Sequence, residues 1–151
     1  RGLGDVYKRQ ERKGSKILTD GLDLYGKGYS DCVLAARIPL LEENPDAVKA
    51  IIKAMMIAQL QSEQDVASAL ADTVGKYFKT TLEVLTIAQS SQPVMIDQRL
   101  NNNFFKERAK SMQAMGYIKN PLPDDAVDWT LLEAVIAENL DLYGDLKLKT
   151  A

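Results

Sequence analysis

Three consecutive polar residues, Tyr29, Ser30 and Asp31, are the strongest candidates for binding chemistry in this sequence. They stand directly before an apolar run from Cys32 to Ala36. Polar groups at the edge of a buried segment can line a cleft at a domain boundary. We therefore predict that these three side chains contact a ligand.

Other residues with chemical potential have simpler structural explanations. The acidic pairs Glu42/Glu43 and Asp124/Asp125 lie before helices or in turns, where acids favour the helix dipole and solvent. Cys32 has no histidine to activate it, because the chain contains none, so we expect a small buried core residue. The methionines lie on or beside apolar stripes and are interpreted as packing. We predict no catalytic residue, no cofactor and no metal site.

Composition narrows the function classes further. The 151 residues suit one domain with a moderate core, and the net charge of −2 comes from dispersed bases balanced by acids. This pattern does not indicate a nucleic-acid partner. The single cysteine excludes an intrachain disulfide and a Cys-rich zinc site. No apolar run reaches the roughly 18 to 20 residues that span a bilayer, so no membrane insertion is expected.

The elements that must position the candidate site are concentrated between Asp31 and Gln61. The uninterrupted apolar run after Asp31, closed by Arg37, predicts a strand buried on both faces. Asn44 followed by Pro45 predicts the start of a helix, since the asparagine can cap the first turn and proline needs no N–H there. The apolar stripe of this helix is expected to contain Val48, Ile51, Ile52, Met55 and Leu60.

The rest of the chain reads as short strands, loops and capped amphipathic helices. We predict a strand at Ser15 to Thr19, a glycine-containing loop from Asp20 to Asp31 and an extended segment at Val94 to Ile96. Helices are predicted from Ser62 to about Gly75, from Thr80 to about Gln89, from Asp97 to Gly116 with Asn101 to Asn103 solvated, and from Thr130 to Leu140 with Trp129 as a hydrophobic staple.

These elements define a domain plan and a fold class. Residues 1–10 show neither a helical nor a strand period and are interpreted as a non-native N-terminus. Residues 15–140 form the domain, and residues 141–151 are expected to be a weakly structured tail. The predicted fold is α/β and helix-rich, with about five helices and two or three short strands.

Three stretches carry a resemblance to a known family. The segment LLEENPDAVKAIIKAMMIAQ after a strand ending in Ala-Arg, the segment KYFKTTLEVL, and the segment MGYIKNPLPDDAVDWTLLEAV occur in this order. Together they resemble the C-terminal part of the substrate-binding proteins of ABC importers, in the nitrate, sulfonate, taurine and bicarbonate group. The resemblance covers about Ser15 to Leu140.

The resemblance implies a function that the residues alone do not show. It implies a bilobed, periplasmic-binding-protein-like fold of the second type, of which this chain holds the C-terminal part while most anion-binding residues lie upstream. Such a protein is a receptor and not an enzyme: it captures a small anionic solute and delivers it to an ABC permease in the membrane. The expected location is periplasmic or lipid-anchored outside the cytoplasm. The alternative is a cytosolic helical interaction or regulatory module that binds a protein partner.

Overall fold

A computed structural model describes residues 18–19, 21–26, 29–30, 32–77, 79–91 and 93–149. Within these ranges the chain forms eight α-helices and one 3-10 turn, which we number in chain order. They are α1 Gly21–Tyr25, α2 Ile38–Glu43, α3 Pro45–Gln64, α4 Val66–Ala71, α5 Leu82–Ser91, the 3-10 turn Arg99–Asn101, α6 Asn102–Ala114, α7 Thr130–Glu138 and α8 Leu140–Asp145.

Helix α3 is the longest of these elements and begins where the sequence predicts. Pro45 is its first residue, and Asp46 adds an acid to the first turn, where the helix dipole favours it. The predicted cap is wrong in detail, because the Asn44 side chain makes no capping hydrogen bond. The helix also continues through Ser62, which the sequence assigned to the next cap. Asp65 takes that role, since its backbone is extended and its carboxylate accepts from the Ser68 N–H at 3.1 Å.

The main core lies on one face of α3. Val48, Ile52 and Met56 are spaced by four residues and pack with Leu132 and Val135 of α7 and with Leu146 after α8. The predicted stripe is therefore only partly correct. Met56 is 1% exposed and lies at its centre, whereas Ile51 is 47% exposed. The apolar residues of α3 extend around more of the helix than α7 and the chain after α8 cover.

A second buried group lies on α5. Val84, Leu85 and Ala88 are buried, and α5 packs against α4, which in turn packs against α3. Thr81, and not the predicted Thr80, caps the first turn of α5. Its hydroxyl accepts from the Val84 N–H at 3.3 Å. Glycines at positive φ follow α4 and α6, namely Gly75 at +76° and Gly116 at +77°. The helix end predicted near Gly116 is confirmed, since α6 ends at Ala114, whereas α4 ends at Ala71, four residues before the end predicted near Gly75.

The α/β prediction is wrong, because the part of the chain that the structure describes contains no β-strand. The run Cys32 to Ala36 was expected to be a buried strand, yet Cys32 is exposed and Val33 and Leu34 are 65% and 48% exposed. A strand needs a hydrogen-bonded neighbour, and no described segment pairs with this run. Most of the predicted strand at Ser15 to Thr19 lies outside the described residues.

Three further segments differ from the prediction. Val94 to Ile96, predicted as an extended segment, joins no sheet, since the Ile96 N–H is bonded by the side chain of Gln59. The predicted loop from Asp20 to Asp31 contains α1. The segment expected to be a weakly structured tail contains most of α8, and Leu146 after it is buried in the core. Asn139 separates α7 from α8, so the predicted last helix is two helices.

Apolar side chains are also abundant on the surface of the described helices. Their exposure follows from the narrow core, which covers one sector of each amphipathic helix. No helix in the described ranges combines the length and apolarity that a bilayer crossing requires. The most exposed large apolar residues of the helices and the turn after α6 are Leu24, Ile38, Ile51, Ile87, Leu100, Met115, Tyr117 and Leu140.

The position of the buried stripe on α3 gives a matched pair of test variants. Met56→Ala should lower the free energy of unfolding by about 2–5 kcal/mol, because it removes a fully buried side chain and leaves a cavity. Ile51→Ala, on the exposed side of the same helix, should change it by less than about 1 kcal/mol. Urea denaturation followed by circular dichroism measures both. Equal losses of unfolding free energy in the two variants would contradict this burial pattern.

Candidate functional site

Two of the three predicted ligand residues, Tyr29 and Ser30, lie within the described residues, and each has a local contact. The ring of Tyr29 packs against Gly21, where an added Cβ would collide with it, and its centroid lies 6.4 Å from that of Tyr25. The Ser30 hydroxyl donates a local hydrogen bond to the Cys32 carbonyl oxygen at 2.9 Å. Asp31 lies outside the described residues. Tyr29 therefore lies next to Tyr25, and Tyr25 lines an open cleft.

An open cleft of about 650 Å³ lies where α1, the 3-10 turn, α6 and the chain after α8 meet. Most of its exposed lining is apolar, and its charged side chains are two bases and one acid. The cleft is lined by Tyr25, Met95, Gln98, Leu100, Asn101, Asn103, Phe104, Glu107, Arg108 and Lys149. None of these residues belongs to the predicted ligand-binding set.

Arg108 is the cation that two aromatic rings hold in this cleft. Its guanidinium carbon lies 4.4 Å from the Tyr25 ring centroid and 5.8 Å from that of Phe104, and the two rings meet edge to face at 5.6 Å. Phe104 and Arg108 share one side of α6 because they are four residues apart. Arg108 donates to the Ser111 hydroxyl at 3.3 Å but forms no ion pair with a carboxylate of the described residues.

The neighbouring charges do not neutralise Arg108 directly. Glu107 pairs with Lys110 at 2.8 Å, and the hydrogen bond from Lys110 is the main cause that lowers the pKa of this carboxyl. Lys149 donates to the carbonyl oxygens of Gly144 and Tyr143 at 2.7 and 3.2 Å, which places a positive charge at the C-terminal end of α8. The cleft therefore presents cationic groups on a largely apolar lining.

Three side-chain amides line the same cleft, and two of them, Asn101 and Gln98, keep atoms without a partner among the described residues. Asn101 is only 5% exposed, and its amide makes no hydrogen bond to any residue within the described ranges. Gln98 donates to the Met95 carbonyl oxygen at 3.1 Å, while its own oxygen is buried without a partner there. The expectation that Asn101 to Asn103 are solvated is wrong for the first two. Asn102 accepts from the Trp129 indole N–H at 3.0 Å.

A buried carboxylate positions the 3-10 turn that carries Leu100 and Asn101. Asp97 is 2% exposed and accepts two bonds from the Arg99 guanidinium, at 3.0 and 2.9 Å, and one from the Tyr143 hydroxyl at 2.6 Å. Tyr143 belongs to α8, so these bonds attach the turn to the last helix. Burial, followed by the bond to Asp97, raises the pKa of the Tyr143 phenol. The hydrogen bond to Asp97 raises the pKa of Arg99. The sequence predicted Asp97 only as a helix cap, yet α6 begins at Asn102.

A second polar connection joins α3 to the segments on either side of the cleft. The fully buried amide of Gln59 accepts from the Ile96 N–H at 2.8 Å and donates to the Leu148 carbonyl oxygen at 2.6 Å. The Glu63 carboxylate accepts from the N–H groups of Lys147 and Leu148 at 2.7 and 3.0 Å and from Gln59 at 2.7 Å. Burial, the largest single influence, raises the pKa of Glu63, but these hydrogen bonds outweigh it, and the net shift is downward.

The described residues contain no group of three or more His, Cys, Asp or Glu side chains that could hold a metal ion. What the cleft offers instead is a guanidinium, an amide and two aromatic rings around one space. Searches found no protein-family model, no curated protein and no solved structure that matches this chain. The resemblance to importer receptors stays a prediction, and the interpretation of the site depends on its geometry.

The two carboxylates bonded to Arg99 allow a controlled test of the buried network. Asp97→Asn should lower the free energy of unfolding by about 3 kcal/mol, because it leaves Arg99 without the partner of a mostly buried pair. Glu133→Gln removes the exposed partner of the same arginine, at 3.4 Å, and should cost less than about 1 kcal/mol. Urea denaturation at pH 7 measures both variants. A larger loss in Glu133→Gln would refute the assigned roles.

The shifted pKa of Glu63 predicts a pH dependence of stability. A carboxyl whose pKa is lower in the folded state stabilises the fold above its unfolded-state pKa of about 4.3, and this contribution is lost as the pH falls through the folded-state value. The difference in unfolding free energy between the natural sequence and Glu63→Gln should therefore be largest near neutral pH and shrink towards pH 3. Urea denaturation across this range measures it.

Glu43→Gln is the matched control for this pH dependence, since Glu43 is an exposed carboxylate without hydrogen bonds of this kind. Its unfolding free energy should follow that of the natural sequence at every pH. A difference for Glu63→Gln that stays constant with pH would show that the carboxylate charge does not stabilise the segment at Lys147 and Leu148.

Proposed function

We propose that this chain acts in the solute-binding receptor of an ABC importer and helps to capture a small oxyanion or sulfonate-type solute for delivery to the permease. The observation that carries the proposal is Arg108, a cation held by two aromatic rings in an open cleft and paired with no described carboxylate. A guanidinium in such a place has donors to spare for a sulfonate or another oxyanion.

The helix positions are neutral towards the proposal. Proline, glycine and capping residues predicted a helix start at Pro45, a helix end near Gly116 and a helix start near Thr130, whatever the family. The structure has α3 beginning at Pro45, a positive φ at Gly116 and α7 beginning at Thr130. Partnership with an ABC permease and a periplasmic or lipid-anchored location are parts of the proposal that rest on the resemblance alone.

Binding at Arg108 has a direct physical basis. Its guanidinium is partly shielded from water by the rings of Tyr25 and Phe104, which reduces the desolvation cost of pairing it with an anion. Lys149 adds positive potential to the same lining. The interaction should weaken as salt is added, because exposed charges are screened over about 8 to 10 Å at physiological ionic strength.

Isothermal titration calorimetry with nitrate, taurine and ethanesulfonate tests the proposal. Although the resemblance implies that most anion-binding residues lie upstream, Arg108 belongs to this chain. We therefore expect saturable binding of at least one of these anions, and Arg108→Gln should weaken it at least about tenfold through the loss of charge-assisted hydrogen bonds. The matched control is Lys106→Gln, which removes the same charge from an exposed position of α6 outside the cleft. Absence of binding, or equal weakening by both variants, would refute capture at Arg108.

The alternative, a helical interaction module, is favoured by a different observation. Large apolar side chains are exposed on several helices, including Ile51 on α3, Ile87 on α5 and Met115 after α6. Such surfaces are typical of sites where a partner helix docks. If the titrations show no anion binding and the protein instead associates through these residues, the interaction module becomes the better assignment.

A further inference from the structure

We infer that the cleft prefers organic anions that carry an aromatic ring over inorganic oxyanions and short aliphatic sulfonates. The inference rests on the proposed function, since it names the solute class of the same site. It starts from the two chemically different parts of the lining, one polar and one apolar. A ligand that satisfies both parts must be anionic at one end and apolar over the rest.

The polar part is formed by Arg108 and Asn101. The guanidinium has no carboxylate partner, and the Asn101 amide makes no hydrogen bond, within the described residues. Asn101 is more than nine-tenths buried and lines the cleft, so a group inside the cleft is a candidate partner for its amide. A carboxylate or sulfonate group can accept from both side chains, and either chemistry fits.

The apolar part is formed by Tyr25, Phe104 and Leu100. The two rings meet edge to face, and Leu100 is 71% exposed although it is a large apolar side chain beside a cleft. Nitrate or ethanesulfonate bound at Arg108 would leave most of this surface in water. A ring attached to the anionic group would cover it and add aromatic contacts to the apolar burial.

The position of Arg108 over an aromatic ring also favours a ring over a flexible chain. Its guanidinium already lies over the face of Tyr25, which fixes the orientation of both groups before a ligand arrives. A planar ring next to the anionic group extends the stack of flat groups with few rotatable bonds to immobilise. A flexible alkyl chain of similar area loses more conformational freedom on binding.

Calorimetric titration of the full chain with benzenesulfonate, benzoate, ethanesulfonate and nitrate tests this inference. We expect the two aromatic anions to bind about tenfold more tightly than ethanesulfonate. Phe104→Leu keeps an apolar side chain but removes a ring, and it should reduce the ratio of the affinities for benzenesulfonate and ethanesulfonate towards one. Leu100→Ala, at an exposed position where folding is safe, should lower the affinity for benzenesulfonate more than that for ethanesulfonate.

The outcomes separate this inference from the proposed function. Equal affinities for aromatic and aliphatic anions, both lost in Arg108→Gln, would leave anion capture in place and overturn the aromatic preference. No binding of any of the four anions would overturn both. Tighter binding of benzenesulfonate that survives both Phe104→Leu and Leu100→Ala would place the aromatic contact outside this cleft and refute the inference. Circular dichroism of each variant identifies a loss of folding.

Discussion

The structure depends on one buried side-chain amide, that of Gln59. It lies on the core face of α3, where apolar residues occupy the preceding turns, and it bonds a backbone N–H at Ile96 and a backbone carbonyl at Leu148. A buried backbone group without a partner costs about 1–3 kcal/mol, so one side chain here satisfies two such groups from distant parts of the chain. Glu63, one turn later, bonds the next N–H groups of the same C-terminal segment.

These bonds explain how the fold holds the irregular segment before the 3-10 turn in place. The chain from Pro93 to Gln98 has no regular secondary structure, yet it leads into the turn that carries Asn101. At one end the segment is bonded by Gln59, and at the other Asp97 joins Arg99 to Tyr143 of α8. Polar contacts on α3 and α8 thus support the cleft. Some polar atoms of its lining make no hydrogen bond within the described residues.

The cleft combines features that stability alone does not require. Within the described residues, the cleft has a cation without an ion-pair partner, a nearly buried amide without a hydrogen bond and an exposed leucine. Each of these costs some folding free energy or contributes little to it. Their presence around one space is the physical reason for assigning binding to this region. The predicted residues Tyr29 and Ser30 lie in the part of the chain that leads away from α1, and the contact between Tyr29 and Tyr25 is their link to the cleft.

The sequence by itself determined several helix boundaries, because caps, prolines and glycines act over a few residues: Pro45 begins α3 and Gly116 follows α6 as predicted. It could not decide which apolar runs are buried, since Val33 and Ile51 are as apolar as Val48 but stay 65% and 47% exposed. Nor could it reveal the site, because Tyr25, Arg108 and Lys149 are far apart in the chain and meet only through folding. Local signals depend on neighbours in sequence, whereas burial and binding depend on neighbours in space, and only the tertiary structure supplies those.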